Sequence, residues 1–255
     1  MKYSASFIKD RRGVKYSASL VKESYLKAQQ MFEKAIELDP KYAAAYVSLG
    51  YIYRFEWVWQ WNPDPNILDK AFHLAQQAIA LDDSLASAHG LLGVIYILKR
   101  QFDKGISEAE RAVSLDPNSA DAYNTLAWAL DNAGRPADAI AAADKAMRLD
   151  PRRQDQYLIW KGLAYTQMGH YKEAIPVVKQ FQASYPNVLG SHFCHLYLIV
   201  DYVELGREGE ARSEAADFLR FSPNLSLDEL QQRIPLKDHA TLDRFSADFQ
   251  KAGLK

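Results

Sequence analysis

Cysteine is almost missing from this chain, since Cys194 is the only thiol among 255 residues. A single thiol excludes an internal disulfide framework and is typical of a reducing compartment. Long apolar runs are missing too: no segment is long enough to span a bilayer, and Met1–Leu20 lacks the apolar core of a signal peptide. These absences predict a cytoplasmic protein without a membrane span.

A surplus of one charge sign is also missing. The 31 basic and 32 acidic residues leave a formal net charge of −1, which argues against a strong electrostatic partner such as nucleic acid. Phosphate-binding loops, the dinucleotide fingerprint, nucleophile elbows and zinc-protease motifs do not occur. The sequence therefore predicts a protein that is not an enzyme and has no cofactor.

One cluster of side chains has the chemistry to bind a metal ion. His192, Cys194 and His195 lie close together, and the two histidines are three residues apart on a predicted helix. A structural metal site needs a fourth ligand, which no second cluster provides. We interpret these residues as helix packing and predict no metal site.

What the chain does contain is a regular recurrence of Asp-Pro. The pairs Asp39-Pro40, Asp116-Pro117 and Asp150-Pro151 each close a helical pattern, and 34 residues separate Asp82 from Asp116 and Asp116 from Asp150. A fixed period of this length is typical of repeated helical hairpins. Such a stack presents an extended surface more often than a catalytic pocket.

The clearest unit shows how each hairpin is built. Asn118 and Ser119 are suited to cap its first helix, and Gly134 is suited to end it. Pro136 falls where proline is preferred, in the first turn of the second helix. That helix must stop before Pro151, because the residue preceding a proline is disfavoured in the α conformation.

The other units repeat this pattern with small residues where the two helices cross. The expected facing pairs are Gly50 with Ala71, Gly93 with Gly105, Ala127 with Ala139, and Gly162 with Ala174. No strand-like period interrupts the series, so the sequence predicts an all-α fold of about six helix-turn-helix repeats. In the first repeat only the second helix is clear, and a degenerate first helix is expected within Lys9–Val21.

The domain prediction follows from where the pattern ends. Residues 1–224 are assigned to the repeat array and residues 225–255 to capping helices over the last repeat. Ser226 and Glu229 form a capping-box pattern at the start of the first of these. Apolar residues at helical spacing, Leu242, Phe245 and Phe249, indicate the second.

These residues resemble the tetratricopeptide repeat family over roughly Lys9–Pro223. Its Leu-Gly-x-x-Tyr element stands as Leu49-Gly50-Tyr51-Ile52-Tyr53 and Leu92-Gly93-Val94-Ile95-Tyr96, and its Ala…Pro element as Ala112…Pro117 and Ala146…Pro151. The resemblance implies a right-handed superhelix, an α-solenoid, that acts as a non-catalytic scaffold. Its first helices would line a concave groove that binds a partner protein or peptide.

A narrower resemblance concerns the end of the chain. The stretch Arg233-Ile234-Pro235-Leu236-Lys237-Asp238 looks like a segment that closes certain bacterial arrays joined to class III adenylate/guanylate cyclases. No cyclase catalytic domain is present in this chain. The resemblance implies an alternative function, as a regulatory or self-association module of a bacterial nucleotide-cyclase signalling system.

One interval departs from the period. Asp39 and Asp82 are 43 residues apart, and the nine extra residues fall in an insertion at 55–65 that contains Trp57, Trp59 and Trp61. These rings either cover the edge of the first repeats or stand exposed as anchors for a partner, since tryptophan is enriched at binding hot spots. Both alternatives remain open from the sequence.

The repeat register also predicts groove residues. Equivalent positions on successive first helices place Tyr51, Val94, Trp128 and Leu163 on the groove floor, with polar contacts nearby from Arg54, Asn124, Asp131 and Asn132. A floor of this kind suits an amphipathic helix or an extended apolar peptide. Alternatively, Trp128 and Leu163 pack between adjacent repeats.

Overall fold

The structure is a computed structural model that describes residues 7–9, 15–59, 61–185, 190–222 and 226–254. Two short strands come first, β1 (Phe7–Lys9) and β2 (Lys15–Ser17). The helices that follow in the described residues are α1 (Ala18–Leu38), α2 (Ala43–Val58), α3 (Ile67–Leu81), α4 (Ala86–Leu98), α5 (Phe102–Leu115), α6 (Ala120–Asn132), α7 (Pro136–Leu149), α8 (Gln154–Gln167), α9 (Tyr171–Ser184), α10 (Gly190–Glu204), α11 (Glu208–Phe221), α12 (Leu227–Arg233) and α13 (His239–Lys251).

Ten of these helices form five consecutive hairpins, from α2–α3 to α10–α11. Within each hairpin the two helices pack closely, and each second helix also packs against the first helix of the next hairpin. The first helices α2, α4, α6 and α8 additionally lie side by side. The predicted all-α solenoid of about six repeats is confirmed, with α1 as the second helix of an incomplete first repeat.

The degenerate first helix expected within Lys9–Val21 is wrong. In the described part of that stretch, β2 pairs antiparallel with β1 and α1 begins directly afterwards at Ala18. Short segments that contain aromatic and β-branched residues, such as Phe7-Ile8, favour a strand pair over a helix. Residues 10–14 lie outside the described residues.

Four of the five hairpin turns contain a left-handed residue in the part of the chain that the structure describes. Gly134, Gly169 and Gly206 occupy these turns with φ between 71° and 77°, a conformation that costs glycine little. In the α4–α5 turn the same role falls to Arg100, with φ of 57°. Arg100 thus holds an unfavourable backbone conformation, and its side chain reappears below in the contacts of the C-terminal segment.

Helix pairs approach most closely at the predicted small residues. A Cβ atom on Gly93 would lie 2.9 Å from the carbonyl oxygen of Gly105, so neither backbone leaves room for a side chain there. At Gly162 the nearest atom across the hairpin belongs to the side chain of Val178, at 2.5 Å from such a Cβ. The backbone nitrogen of Val178 lies 3.4 Å from it, as that of Ala109 lies 3.2 Å from a Cβ on Gly93, so the two crossings share one register.

The predicted helix ends are confirmed in the clearest unit. The side chain of Ser119 accepts a hydrogen bond from the backbone N–H of Ala122, and Pro136 lies in the first turn of α7. The capping box of Ser226 and Glu229 is also present, at the start of α12. None of the helices in the described part of the chain is long and apolar enough to cross a lipid bilayer.

Candidate interaction surface

Three first helices surround a small gap at Gly90 of α4, which we call the depression. A Cβ atom on Gly90 would lie 3.7 Å from the hydroxyl oxygen of Tyr51 on α2 and 3.8 Å from Oγ1 of Thr125 on α6. These two neighbours reach towards each other across α4, and the gap that they leave accommodates a methyl group at ordinary contact distance. Burial raises the pKa of Tyr51, while the charge of Arg54 and a hydrogen bond with Thr125 lower it.

Aromatic residues extend the depression on two sides. The guanidinium of Arg54 lies 5.6 Å from the ring centroid of Trp128, which joins α2 to α6 by a cation–π contact. The indole N–H of Trp160 on α8 donates to Oδ1 of Asn124 at 2.6 Å. All four side chains are half-buried, so each keeps a surface that a partner can contact.

We refer to Tyr51, Gly90, Asn124, Thr125, Trp128 and Trp160 as the aromatic face. Register reasoning missed three of these residues. Thr125 and Trp160 each lie one helical turn before a predicted groove position, which is the signal that was available. Gly90 lies one helical turn before the predicted Val94, so the same signal was available for it.

Other predicted groove residues are buried in this structure. Val94 and Leu163 are each 5% exposed and belong to the apolar core. Asn132 is 4% exposed, and its side-chain amide donates to the carbonyl of Trp128 at 2.8 Å. Asp131 is fully buried. These four residues support the array rather than face solvent.

The insertion at 55–65 is ordered, apart from Gln60, which lies outside the described residues. Trp61 stacks edge-on with Tyr25 of α1 at 5.5 Å, and Trp59 lies 5.1 Å from the ring of Phe193 on α10. Trp57 packs against the core of the first hairpins. The buried carboxylate of Glu56 accepts from the side chain of Asn62 at 2.8 Å.

The three tryptophan rings are therefore half-buried against this chain's own helices. The contact between Trp59 and Phe193 joins the first complete hairpin to the last. The solenoid thus curves far enough for its two ends to meet.

The C-terminal segment follows the ends of the first helices. Arg233 donates to the carbonyl of Val58 at the end of α2, at 3.3 Å. Arg100, in the turn after α4, donates to the carbonyls of Gln231, Ile234 and Leu236 at 3.1 to 3.3 Å. The backbone N–H of Lys237 donates to the carbonyl of Asn132 at the end of α6, at 2.8 Å.

The same path continues to the last two hairpins. Helix α13 packs on α10, with Phe245 edge-on to Tyr197 at 5.7 Å. Asp248 lies near Glu204 at the end of α10, and Glu204 accepts a hydrogen bond from the hydroxyl of Tyr171, which follows α8. The segment thus passes the ends of α2, α4 and α6 in chain order before α13 docks on α10. We call the ends of these three first helices, together with Arg100 in the turn after α4, the helix-end row.

Two buried carboxyl groups lie near the ends of first helices, Asp131 on α6 and Asp201 on α10. Both are fully buried, and the hydrogen-bonding side chains that lower their pKa values are those of Gln167 for Asp131 and Thr166 for Asp201. Burial raises the pKa of each carboxyl to about 8. Both groups are therefore largely protonated at neutral pH.

The candidate metal cluster serves packing where it is described. Cys194 is fully buried, and burial raises the pKa of its thiol. Nδ1 of His195 lies 2.6 Å from a carboxylate oxygen of Glu214 on α11. The side chain of His192 lies outside the described residues. Within those residues, no group of three or more His, Cys, Asp or Glu side chains is arranged to hold a metal ion.

A stack of helical hairpins with small residues at each crossing defines a helical-repeat solenoid. The family models that match the chain are both described as tetratricopeptide repeat, one over residues 22–42, 86–119 and 155–187 and the other over 108–141. The chain therefore carries tetratricopeptide repeats in these stretches.

Two curated relatives match part of the array. A protein described as putative adenylate cyclase 3 of Rhizobium meliloti (strain 1021) is 35% identical over 82 residues, which cover 32% of this chain and 14% of that protein. The mitochondrial import receptor subunit TOM70 of Rattus norvegicus is 31% identical over 84 residues, 33% of this chain and 12% of the receptor. The chain thus spans a small fraction of either relative.

Solved structures share the fold. One chain of the crystal structure of the APC/C hetero-tetramer Cut9-Hcn1 superposes with a TM-score of 0.65 at 16% identity. The match covers 90% of this chain and 40% of that chain. At this identity the likeness establishes the solenoid and nothing about a partner.

The buried carboxyls predict an unusual pH dependence. Because the folded-state pKa of about 8 lies above the ordinary value of 3.8, the folded state binds more protons than the unfolded state between about pH 4 and pH 8. The free energy of unfolding should therefore fall as the pH rises through this window. Each unit of difference between the folded and unfolded pKa corresponds to about 1.4 kcal/mol, so the fall can reach several kcal/mol. Asp131→Asn and Asp201→Asn should raise the thermal midpoint more at the alkaline end than at the acidic end.

Thermal unfolding followed by circular dichroism across this window measures the effect. Asp217→Asn, at a side chain 38% exposed and paired with Arg220, is the control and should leave the pH slope as in the wild type. An unchanged slope in the Asp131 and Asp201 variants would show that neither carboxyl is held protonated.

Proposed function

We propose that this chain is a non-catalytic scaffold that binds a partner protein or peptide on the aromatic face. The observation that carries the proposal is the depression at Gly90, where Tyr51 and Thr125 stand on either side of a position without a side chain. A concave site with an apolar floor and a few polar groups is typical of ligand recognition. Tetratricopeptide repeats generally mediate protein–protein interaction, which agrees with this assignment.

The surroundings of the depression indicate the chemistry of the partner. Trp128 and Trp160 offer large apolar surfaces, while Asn124, Thr125 and Arg54 supply polar groups at their edges. Such a surface suits a large apolar side chain that packs on Trp128 and Trp160 next to Gly90, carried by an amphipathic helix or an extended apolar peptide. The near-zero net charge favours a peptide over a nucleic acid.

Filling the depression tests this function. In Gly90→Leu the new side chain occupies the proposed ligand space, whereas in Gly90→Ala the added Cβ makes only ordinary contacts of 3.7 Å or more. Both proteins are screened against a displayed library of short random peptides, and bound sequences are compared with those of the wild type. We expect Gly90→Ala to select wild-type sequences and Gly90→Leu to lose them.

Circular dichroism establishes that both Gly90 variants keep their helices. Selection of the same peptides by Gly90→Leu and the wild type would exclude the depression as the binding site.

A second candidate function, regulation by self-association within a cyclase signalling system, is favoured by two observations. One curated relative is described as a putative adenylate cyclase, although the import receptor matches the same kind of repeat at similar identity. The other observation is the outer face of α1, where Met31 is 72% and Leu38 76% exposed. Among the described residues no first helix covers this face of α1, whereas one covers the equivalent face in the complete hairpins.

Light scattering at increasing protein concentration tests self-association. If two copies pair through α1, the wild type dimerises, and Met31→Lys combined with Leu38→Lys yields a monomer because two cations replace the apolar stripe. The control Glu110→Lys changes the net charge by the same amount at an exposed site on α5 and should still dimerise. A wild-type monomer at all concentrations would rule out this candidate.

A further inference from the structure

The segment at residues 231–237, which we call the strap, binds the helix-end row as a short ligand would. The last carbonyl oxygens of a helix lack partners within that helix and carry partial negative charge. The strap supplies donors to two such ends, from the Arg233 side chain to Val58 and from the Lys237 backbone to Asn132. In return, its own carbonyls accept hydrogen bonds from Arg100.

Side chains alternate along the second half of the strap. Ile234 and Leu236 are 6% and 1% exposed, Pro235 between them is half-buried, and Lys237 is exposed. Ile234 has an extended backbone, with φ of −76° and ψ of 107°. An extended segment with alternate side chains buried and its backbone hydrogen-bonded is a common mode of peptide recognition.

The strap is held differently from the helix that follows it. Helix α13 is anchored by apolar burial, with Phe245 and Phe249 each 1% exposed. Apart from two apolar side chains, the strap is held by hydrogen bonds and by the ion pair of Lys237 with Asp103, whose carboxylate is 93% exposed. Exposed ion pairs contribute little to stability, so the strap should open at lower cost than α13.

We propose that the helix-end row is a peptide-binding site that the strap occupies in cis. Its ligand is an extended segment with an apolar residue, a proline and a second apolar residue, followed by a cation. A partner segment of this chemistry binds only where it displaces the strap, while α13 stays docked on α10. The row lies apart from the depression at Gly90, so the proposal does not depend on the aromatic face.

Binding of a labelled strap peptide tests the proposal. The probe is a fluorescent synthetic peptide with the sequence of residues 231–238, added to the full chain. In one variant, Ile234→Ser and Leu236→Ser together weaken the strap and leave every residue of the row intact. We expect this variant to bind the peptide at least about tenfold more tightly than the wild type, in which the strap competes for the site.

A second variant and two controls make the outcome decisive. Pro235→Gly loosens the strap through chain entropy without removing a fully buried side chain, and it should also gain binding. Cleavage by trypsin after Arg233 reports whether the strap is open, and circular dichroism reports whether the array is folded.

Adding Arg100→Gln to the weakened variant should reduce binding by about tenfold, since charged hydrogen bonds to the ligand carbonyls are lost. A probe with serine in place of its isoleucine and leucine should not bind.

Two results would overturn the proposal. One is equal binding of the peptide by the wild type and both weakened variants, which would show that the strap does not cover the site. The other is no binding by a variant that trypsin shows to be open and circular dichroism shows to be folded.

Discussion

The unpaired carbonyl oxygens at the ends of the first helices need hydrogen-bond donors, and the C-terminal segment supplies some of them. A helical hairpin leaves such groups at every turn, and in a stack they form a line. Here the chain returns to that line with its own C-terminal segment, so that Val58 and Asn132 find donors while Arg100 holds three carbonyls of the returning chain. Arg100 takes the left-handed position of the α4–α5 turn, and its side chain reaches the strap. The two ends of the array also meet directly, where Trp59 contacts Phe193.

Because the C-terminal segment docks at the helix ends, the face formed by the first helices has two parts with different properties. Near the helix ends, the returning segment and the buried residues Asp131 and Asn132 fill the space. Further back along the same helices, Gly90 leaves a depression between half-buried aromatic residues. In the two proposals made above, the first surface binds a ligand directly, whereas the second becomes available only when the C-terminal segment is displaced.

The repeated part of this fold was predictable from the sequence because each hairpin is specified locally. Ser119, Gly134 and Pro136 mark helix ends by backbone chemistry alone, and Gly93 with Gly105 marks a crossing. The path of the C-terminal segment was not predictable, because contacts such as Arg100 with Leu236 join residues 136 positions apart that no period relates. For the same reason Asp131 was predicted as an accessible polar contact, although it is fully buried. Gly90 lies one helical turn before the predicted Val94 but was not predicted as a site residue, because the register was used to select residues by their side chains.

The hydrogen bond from the backbone N–H of Lys237 to the carbonyl of Asn132 is the most direct mark of the returning chain. Amide hydrogen exchange of the wild-type protein, resolved by residue in NMR spectra, measures it in solution. The account predicts that the Lys237 amide exchanges far more slowly than an amide in an unstructured peptide, although it lies outside any helix. Exchange of that amide at the rate of an unstructured peptide would contradict the docking of the C-terminal segment on the helix-end row.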